Sequence, residues 1–191
     1  MVPSIEGTAD ARMNIVFTCP TVETERLILR PFRDADVEAY FAIHDTAEVR
    51  TSLHLPESFD REEAWKHLAL WNGQWTLRNS GQWAVELAAT GEMIGRAGTH
   101  RPQRAGWPGL EVGWTFHPDH WGNGYATEAG RAAITWAFAN HDVDELVSVI
   151  LSENTASQAV ATRLGFTWRE DRILQPFVTL PHGIWTLPRP A

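Results

Sequence analysis

The stretch His120-Trp121-Gly122-Asn123-Gly124-Tyr125-Ala126-Thr127-Glu128-Ala129 decides how this chain is read. It follows a strand-like run, Leu110-Glu111-Val112-Gly113-Trp114-Thr115-Phe116, and opens a run of helical period, Ala129, Ala133, Trp136 and Ala137. A strand, a glycine turn and a helix make an anion site. Gly122 and Gly124 let the backbone turn tightly and approach a ligand. The amides that open a helix have no partners within it, and the positive end of the helix dipole favours phosphate there.

The spacing narrows the kind of phosphate site. A Walker loop needs Gly-x-x-x-x-Gly-Lys-Ser/Thr, and the only lysine, Lys66, lies far upstream. A dinucleotide fingerprint needs a third glycine where Thr127 stands. Gly-x-Gly before a helix is by itself a weak signal, because a plain tight turn has the same form.

Context adds to it. Trp121-x-x-Gly124-x-Ala126 resembles the acetyl-CoA loop of the GNAT (Gcn5-related) N-acetyltransferases, whose pattern is Arg/Gln-x-x-Gly-x-Gly/Ala. Trp in the first place departs from the general pattern, but it is usual in the branch of ribosomal-protein N-terminal acetyltransferases of the RimJ/RimL type. Thr24-Glu25-Arg26-Leu27-Ile28-Leu29-Arg30-Pro31 resembles that branch's opening strand, and Gly91-Glu92-Met93-Ile94-Gly95 its central hairpin. Asn154-x-x-Ser157 through Leu164-Gly165-Phe166 resembles its second cofactor motif. The similarity spans about residues 22 to 170, in order and at family spacing.

Composition sets outer bounds. The 191 residues make a single-domain length that can bury a substantial core. Residues 1–18 read as a flexible N-terminal extension, with Met1 and Met13 both open as the natural start, and residues 19–191 as the domain. Hydrophobic residues at 43% and charged ones at 21% are ordinary for a globular protein. One cysteine, Cys19, excludes an internal disulfide and fits a cytoplasmic location. No apolar run is long enough for a membrane span. The net charge of −8 argues against nucleic acid as a partner. It fits attraction of cationic amines and, equally, simple solubility.

Along the chain, strands are expected at Arg26 to Arg30, Trp83 to Leu87, Met93 to His100, Leu110 to Phe116, Leu146 to Leu151, Phe166 to Arg169 and Gly183 to Leu187. Asp34 can cap a helix through Tyr40 and Ile43. Asp45 to Pro56 reads as a short helix and loop. Asp60, with Glu63 in the capping-box position, starts a helix whose apolar row is Ala64, Leu68, Trp71 and Trp75. Helical spacing assigns that row to the core rather than to a substrate wall. Helices follow over Tyr125 to Asn140 and from Asn154 to Gly165. The order predicts an α/β fold with one mixed sheet. The resemblance makes this the GNAT fold: a single mixed, mostly antiparallel sheet flanked by helices, with its fourth and fifth strands splayed around the cofactor.

Acetyl transfer from a thioester to an amine requires a neutral amine, an electrophilic contact on the carbonyl and a proton for the departing thiolate. The resemblance supplies the carbonyl contact from backbone amides of Val112, Gly113 and Trp114, with a bulge expected at Gly113. Acetyl-CoA would be held by these and by Trp121, Gly122, Asn123, Gly124, Tyr125, Ala126, Thr127, Asn154 and Ser157. Glu111, at the start of the central strand, is the candidate base, acting directly or through water; the alternative is a strand-end surface glutamate. Ser157 is the candidate acid, with a local hydrogen-bonding role in the first helical turn as the alternative. Many family members carry a tyrosine four residues on, where Ala161 stands here. Asn154 matches the asparagine that binds the pantetheine amides and would also serve as an N-cap.

His117 and His120 form a His-x-x-His without a third ligand nearby, so no metal site is expected. Cys19 lacks a base, which argues against an acyl-enzyme. The expected activity is acetyl transfer from acetyl-CoA to a primary amine, of a small molecule or a peptide N-terminus, near Asp45 to Pro56 and the Asp171 to Pro181 loop. Family habit adds a homodimer. The contrasting expectation is a non-catalytic acyl-CoA-binding sensor on the same fold.

Overall fold

The computed structural model describes residues 18–174 and 180–190. Most of the expected N-terminal extension and part of the Asp171 to Pro181 loop therefore lie outside the described residues. One eight-stranded sheet runs in the order β1-β2-β3-β4-β5-β6-β8-β7. Its strands are β1 (Val22–Glu23), β2 (Leu27–Arg30), β3 (Gln82–Leu87), β4 (Met93–His100), β5 (Glu111–Phe116), β6 (Glu145–Leu151), β7 (Thr167–Arg172) and β8 (His182–Pro188). Every neighbouring pair is antiparallel except β5 and β6.

Five α-helices cover the sheet: α1 (Val37–His44), α2 (Ala47–Leu53), α3 (Arg61–Arg78), α4 (Tyr125–Asn140) and α5 (Thr155–Leu164). Two of the three caps foreseen in the sequence form, whereas Asp34 caps no helix and lies in a short 3-10 turn, Asp34–Asp36, ahead of α1. Asp60 accepts from the Glu63 amide at the start of α3, and Asn154 from the Ser157 amide at the start of α5. Gly165 ends α5 with a positive φ of 93°.

The two faces of the sheet divide the core in two, Trp83 and Val85 of β3 on one side and Ala84 on the other. Leu110, Val112 and Phe116 pack with Ala129, Ala133 and Ala137 of α4 and Leu164 of α5. Ala84 faces the other way, against Phe32, Tyr40, Phe59, Ala64, Leu68 and Trp71. Trp71 and Trp75 are both buried, so the tryptophan row of α3 is core, as its spacing predicts. No described helix is long and apolar enough to cross a membrane.

The feature that positions the site is the weak join between β5 and β6. Glu111 and Val147 are their one registered pair, whereas β4 and β5 are registered all the way from Gly95–Phe116 to His100–Glu111. The two parallel strands start together and part, which is the expected splay. The β4–β5 register runs without a shift, so the bulge expected at Gly113 is absent. A bulge falls instead between Val85 and Glu86, where β3 meets β4.

A phosphate loop, a strand gap and a carboxylate

Gly122 and Gly124 have φ of 79° and 80°, the left-handed region that side chains rarely adopt. Gly124 is the N-cap of α4, and the first helical bond is the Glu128 amide to the Gly124 carbonyl. The amides from Gly122 to Thr127 donate to no acceptor among the described residues. They form a run of free donors at the positive end of a sixteen-residue helix. Trp121, half exposed, is fixed by its indole nitrogen donating to the Phe116 carbonyl at 2.8 Å. Asn123 faces back, its side-chain amide donating to the carbonyls of His120 and Trp121.

The loop is tied to the sheet by two residues that the sequence did not mark as site residues. Glu128 accepts from the Thr24 hydroxyl at 2.7 Å, the Arg26 amide at 2.9 Å and the Arg26 Nε at 2.8 Å. Arg26 also donates to the Asn123 carbonyl at 3.0 Å and lies over the Tyr125 ring. Burial alone would raise the Glu128 pKa. Its hydrogen bonds to Thr24 and Arg26 outweigh that and hold it below the ordinary glutamate value. The Thr24-Glu25-Arg26 stretch carried the signal, but only as part of an opening strand.

A cavity of about 450 Å³ runs from this loop along β5. Trp121, Gly122, Gly124, Tyr125, Ala126 and Thr127 line it at one end, and Asn154 and Ser157 along its side. Trp114, Thr115 and Phe116 form its sheet wall, and Val49, Ser52 and Leu53 of α2 close the far end. It therefore draws together most of the residues expected to hold the cofactor, including part of the Asp45 to Pro56 segment. The Ser157 hydroxyl has no hydrogen bond to a described residue. Asn154 directs its carbonyl oxygen to the Ser157 amide at 3.0 Å.

The backbone of β5 has two edges. His117 donates its amide to the Ile94 carbonyl of β4 at 2.9 Å, so by two-residue alternation the amides of Thr115, Gly113 and Glu111 also face β4. Those of Val112, Trp114 and Phe116 face β6; the Val112 amide belongs to the Glu111–Val147 pairing, and beyond it no registered pair meets Trp114 or Phe116. The Trp114 amide thus opens into the gap beside the cavity. Gly113 directs its amide to β4, away from the gap. Val112 is fully buried through its side chain.

Glu111 stands on the opposite face, outside the cavity wall. Its side chain is 13% exposed, with Oε2 lying 3.4 Å from His100 Nδ1 and making no hydrogen bond of good geometry. A Cβ placed on Gly113 would lie 3.9 Å from Glu111 Oε1 and 3.8 Å from Gln82 Nε2, so a methyl-sized space lies beside this carboxylate.

The remaining candidates are placed simply. His117 pairs loosely with Asp119 and His120 with Glu92, and no group of three metal-ligating side chains occurs among the described residues. Burial pushes the Cys19 thiol up to about 12, which suppresses its nucleophilic form. Arg163 also lines the cavity, and with Arg131 it borders the groove beyond Thr127.

A free-amide loop before a helix, a gap between parallel strands and a cavity joining them define an acyl-CoA-dependent acyltransferase. Residues 26–167 match the model of the acetyltransferase (GNAT) domain, and the chain belongs to that family. It is 30% identical to the uncharacterized N-acetyltransferase YoaA of Bacillus subtilis over 77% of this chain and 82% of that protein. The crystal structure of an acetyltransferase from Agrobacterium tumefaciens superposes with a TM-score of 0.76 at 33% identity, covering 93% of this chain and 99% of that one. Mycobacterium smegmatis RimJ in complex with CoA-disulfide shares the fold, with a TM-score of 0.65 at 18% identity over 90% and 87% of the two chains. The protein is an acetyl-CoA-dependent N-acetyltransferase.

Proposed function

We propose that the chain moves an acetyl group from acetyl-CoA to a primary amine by direct attack, in the cytoplasm and without a metal. The observation that carries this reading is the unpaired Trp114 amide, which opens into the β5–β6 gap next to a cavity also lined by Gly122, Gly124, Tyr125, Ala126, Thr127 and Ser157. The loop amides fit the phosphates and the strand gap fits the extended arm of the cofactor. The Trp114 amide fits the thioester carbonyl, on which negative charge develops.

The acceptor amine lies beside Gly113, where Glu111 takes its proton directly or through one water. The amine nitrogen bonds to the carbonyl carbon, the carbon–sulfur bond breaks, and its electron pair leaves on sulfur. Ser157 gives a proton to that thiolate and regains one from solvent. An amine pKa of roughly 10 means that only a small neutral fraction exists at pH 7, so a base at this position raises the rate. The acceptor is the amine of a small molecule or of a peptide N-terminus.

The test is a panel of amines incubated with acetyl-CoA and assayed for free thiol. Thiol release that depends on the amine, with the acetylated amine recovered, is expected. Tight acetyl-CoA binding without release for any amine would identify the chain as an acyl-CoA sensor instead.

A further inference from the structure

Arg96, in the middle of β4, is a guanidinium whose partners are all uncharged. Its Nε donates to His44 Nε2 at 3.3 Å and a terminal nitrogen to Gln82 Oε1 at 3.1 Å. The group lies over the Trp71 ring, 5.4 Å from the centroid, and reaches the Tyr40 hydroxyl. His44 Nδ1 lies 2.8 Å from the Tyr40 carbonyl, so that nitrogen carries the ring hydrogen and Nε2 is left to accept from Arg96. Burial, with the Arg96 charge, holds His44 well below the usual imidazole value. The same two causes push His67 down to about 4. Both rings are therefore neutral near pH 7.

Arg30, on the same sheet, shows what a buried guanidinium ordinarily gains: it is paired with both Asp36 and Glu86. Arg96 has no carboxylate within ion-pair distance among the described residues. A partly buried cation among neutral groups gains from a negative partner.

Two further observations lie on the same sheet face. Thr115, the cross-strand partner of Arg96, has a buried hydroxyl with no hydrogen-bond partner, and it lines the cavity. Between Arg96 and Glu111 lies Gly113, where an added Cβ would find nothing closer than 3.8 Å. This face carries a carboxylate at one end, a cation with an unsatisfied hydroxyl at the other, and a glycine between them. Thr115 and Glu111 are four residues apart on β5, roughly 13 Å between Cα atoms. Arg96 shortens that span by leaning toward Gln82, which is level with Gly98 and Gly113 in the register.

We infer that the acceptor is an amine that also carries a carboxylate, and that Arg96, with the Thr115 hydroxyl, binds that carboxylate while the amine lies at Glu111. This rests on the acetyl transfer proposed above. It favours amino-acid-like acceptors over polyamines, whose second charge would meet Arg96 with like sign.

Matched acceptors that differ only in a free carboxylate or its carboxamide test the inference: glycine and glycinamide, 4-aminobutyrate and its amide, 6-aminohexanoate and its amide. Each is assayed by thiol release and titrated calorimetrically against the protein with CoA bound. The carboxylate should be preferred by about tenfold or more in kcat/KM at one chain length, the scale of a charge-assisted hydrogen-bond pair. Arg96→Gln should bring that ratio toward one, chiefly through KM, and Arg96→Lys should keep part of it. No preference in the parent, or a ratio unmoved by Arg96→Gln, overturns the inference while acetyl transfer stands. If no amine is acetylated, acetyl transfer fails, and calorimetry decides this point: carboxylate binding that Arg96→Gln removes supports it, and no carboxylate binding overturns it. Should Arg96→Gln not fold, the Arg96→Lys ratio serves in its place.

Discussion

Arg26 and Glu128 join the opening strand to the helix that carries the phosphate loop, across 102 residues of sequence. The guanidinium meets Glu128 at 2.7 Å and the loop carbonyl of Asn123 at 3.0 Å, so one side chain holds both the helix start and the turn before it. Arg26 is 44% exposed and Glu128 16%, which makes the pair a positioning device more than a source of stability.

Glu128→Ala should therefore act on ligand binding before it acts on folding. Acetyl-CoA affinity should fall about tenfold, because the free amides from Gly122 to Thr127 lose their fixed direction. Calorimetry on the folded variant measures it. An affinity equal to the parent would show that the loop holds its shape without the clamp.

Gly124 tests the same loop from the backbone side. With φ at 80°, a β-branched side chain is strained there whatever the space around it. Gly124→Val should lower acetyl-CoA affinity by about a hundredfold or more, since both the turn and the approach of the phosphates are disturbed. The far-ultraviolet circular dichroism should remain that of the parent. Unchanged affinity with an intact fold would remove the phosphate reading of this turn.

The sequence showed some of this architecture and not the rest, for a physical reason. Local signals were legible: the caps at Asp60 and Asn154, the terminal Gly165, the glycine turn, and the buried tryptophan row of α3. Each depends on residues within about one helical turn or one hairpin. The Arg26–Glu128 clamp, the neutral surroundings of Arg96 and the place of Gly113 beside Glu111 and Gln82 depend on register between distant strands, and no periodicity encodes that. Gly113 shows the difference well. Its lack of a side chain was legible, but whether its amide faces β4 or the gap depends on a pairing pattern set by β4. The short strand Val22–Glu23 was also missed, because two residues carry no alternation.

The histidines behind Arg96 give the fold an acid-sensitive point. His67 is pushed down to about 4 and His44 also lies below its ordinary value, first by burial and then by Arg96. In the unfolded chain both titrate near roughly 6.5, so between that pH and about 4 the unfolded state binds more protons. Stability present at neutral pH should therefore be lost progressively as pH falls through this window. Thermal melts from pH 7.5 to 4 should show a falling midpoint, and His67→Gln should flatten the slope. A midpoint that holds steady down to pH 4.5 would mean that these rings accept protons in the folded state without penalty.

The last prediction concerns Glu111 and Ser157. If Glu111 takes the amine proton, Glu111→Gln should lower turnover at neutral pH by about a hundredfold or more, the usual scale for removing a general base. Acetyl-CoA affinity should barely change, because this side chain lies across the sheet from the cavity that holds the loop amides. The defect should shrink as pH rises toward the pKa of the amine, where solution supplies the neutral form. Ser157→Ala should also slow turnover, but raising the pH should not rescue it, since the step affected is departure of the thiolate. Both variants are measured with one acceptor from the amine panel, in single-turnover mode so that chemistry rather than product release is read. A Glu111→Gln enzyme that turns over like the parent under those conditions assigns the proton to water and leaves the carboxylate a partner of His100 alone.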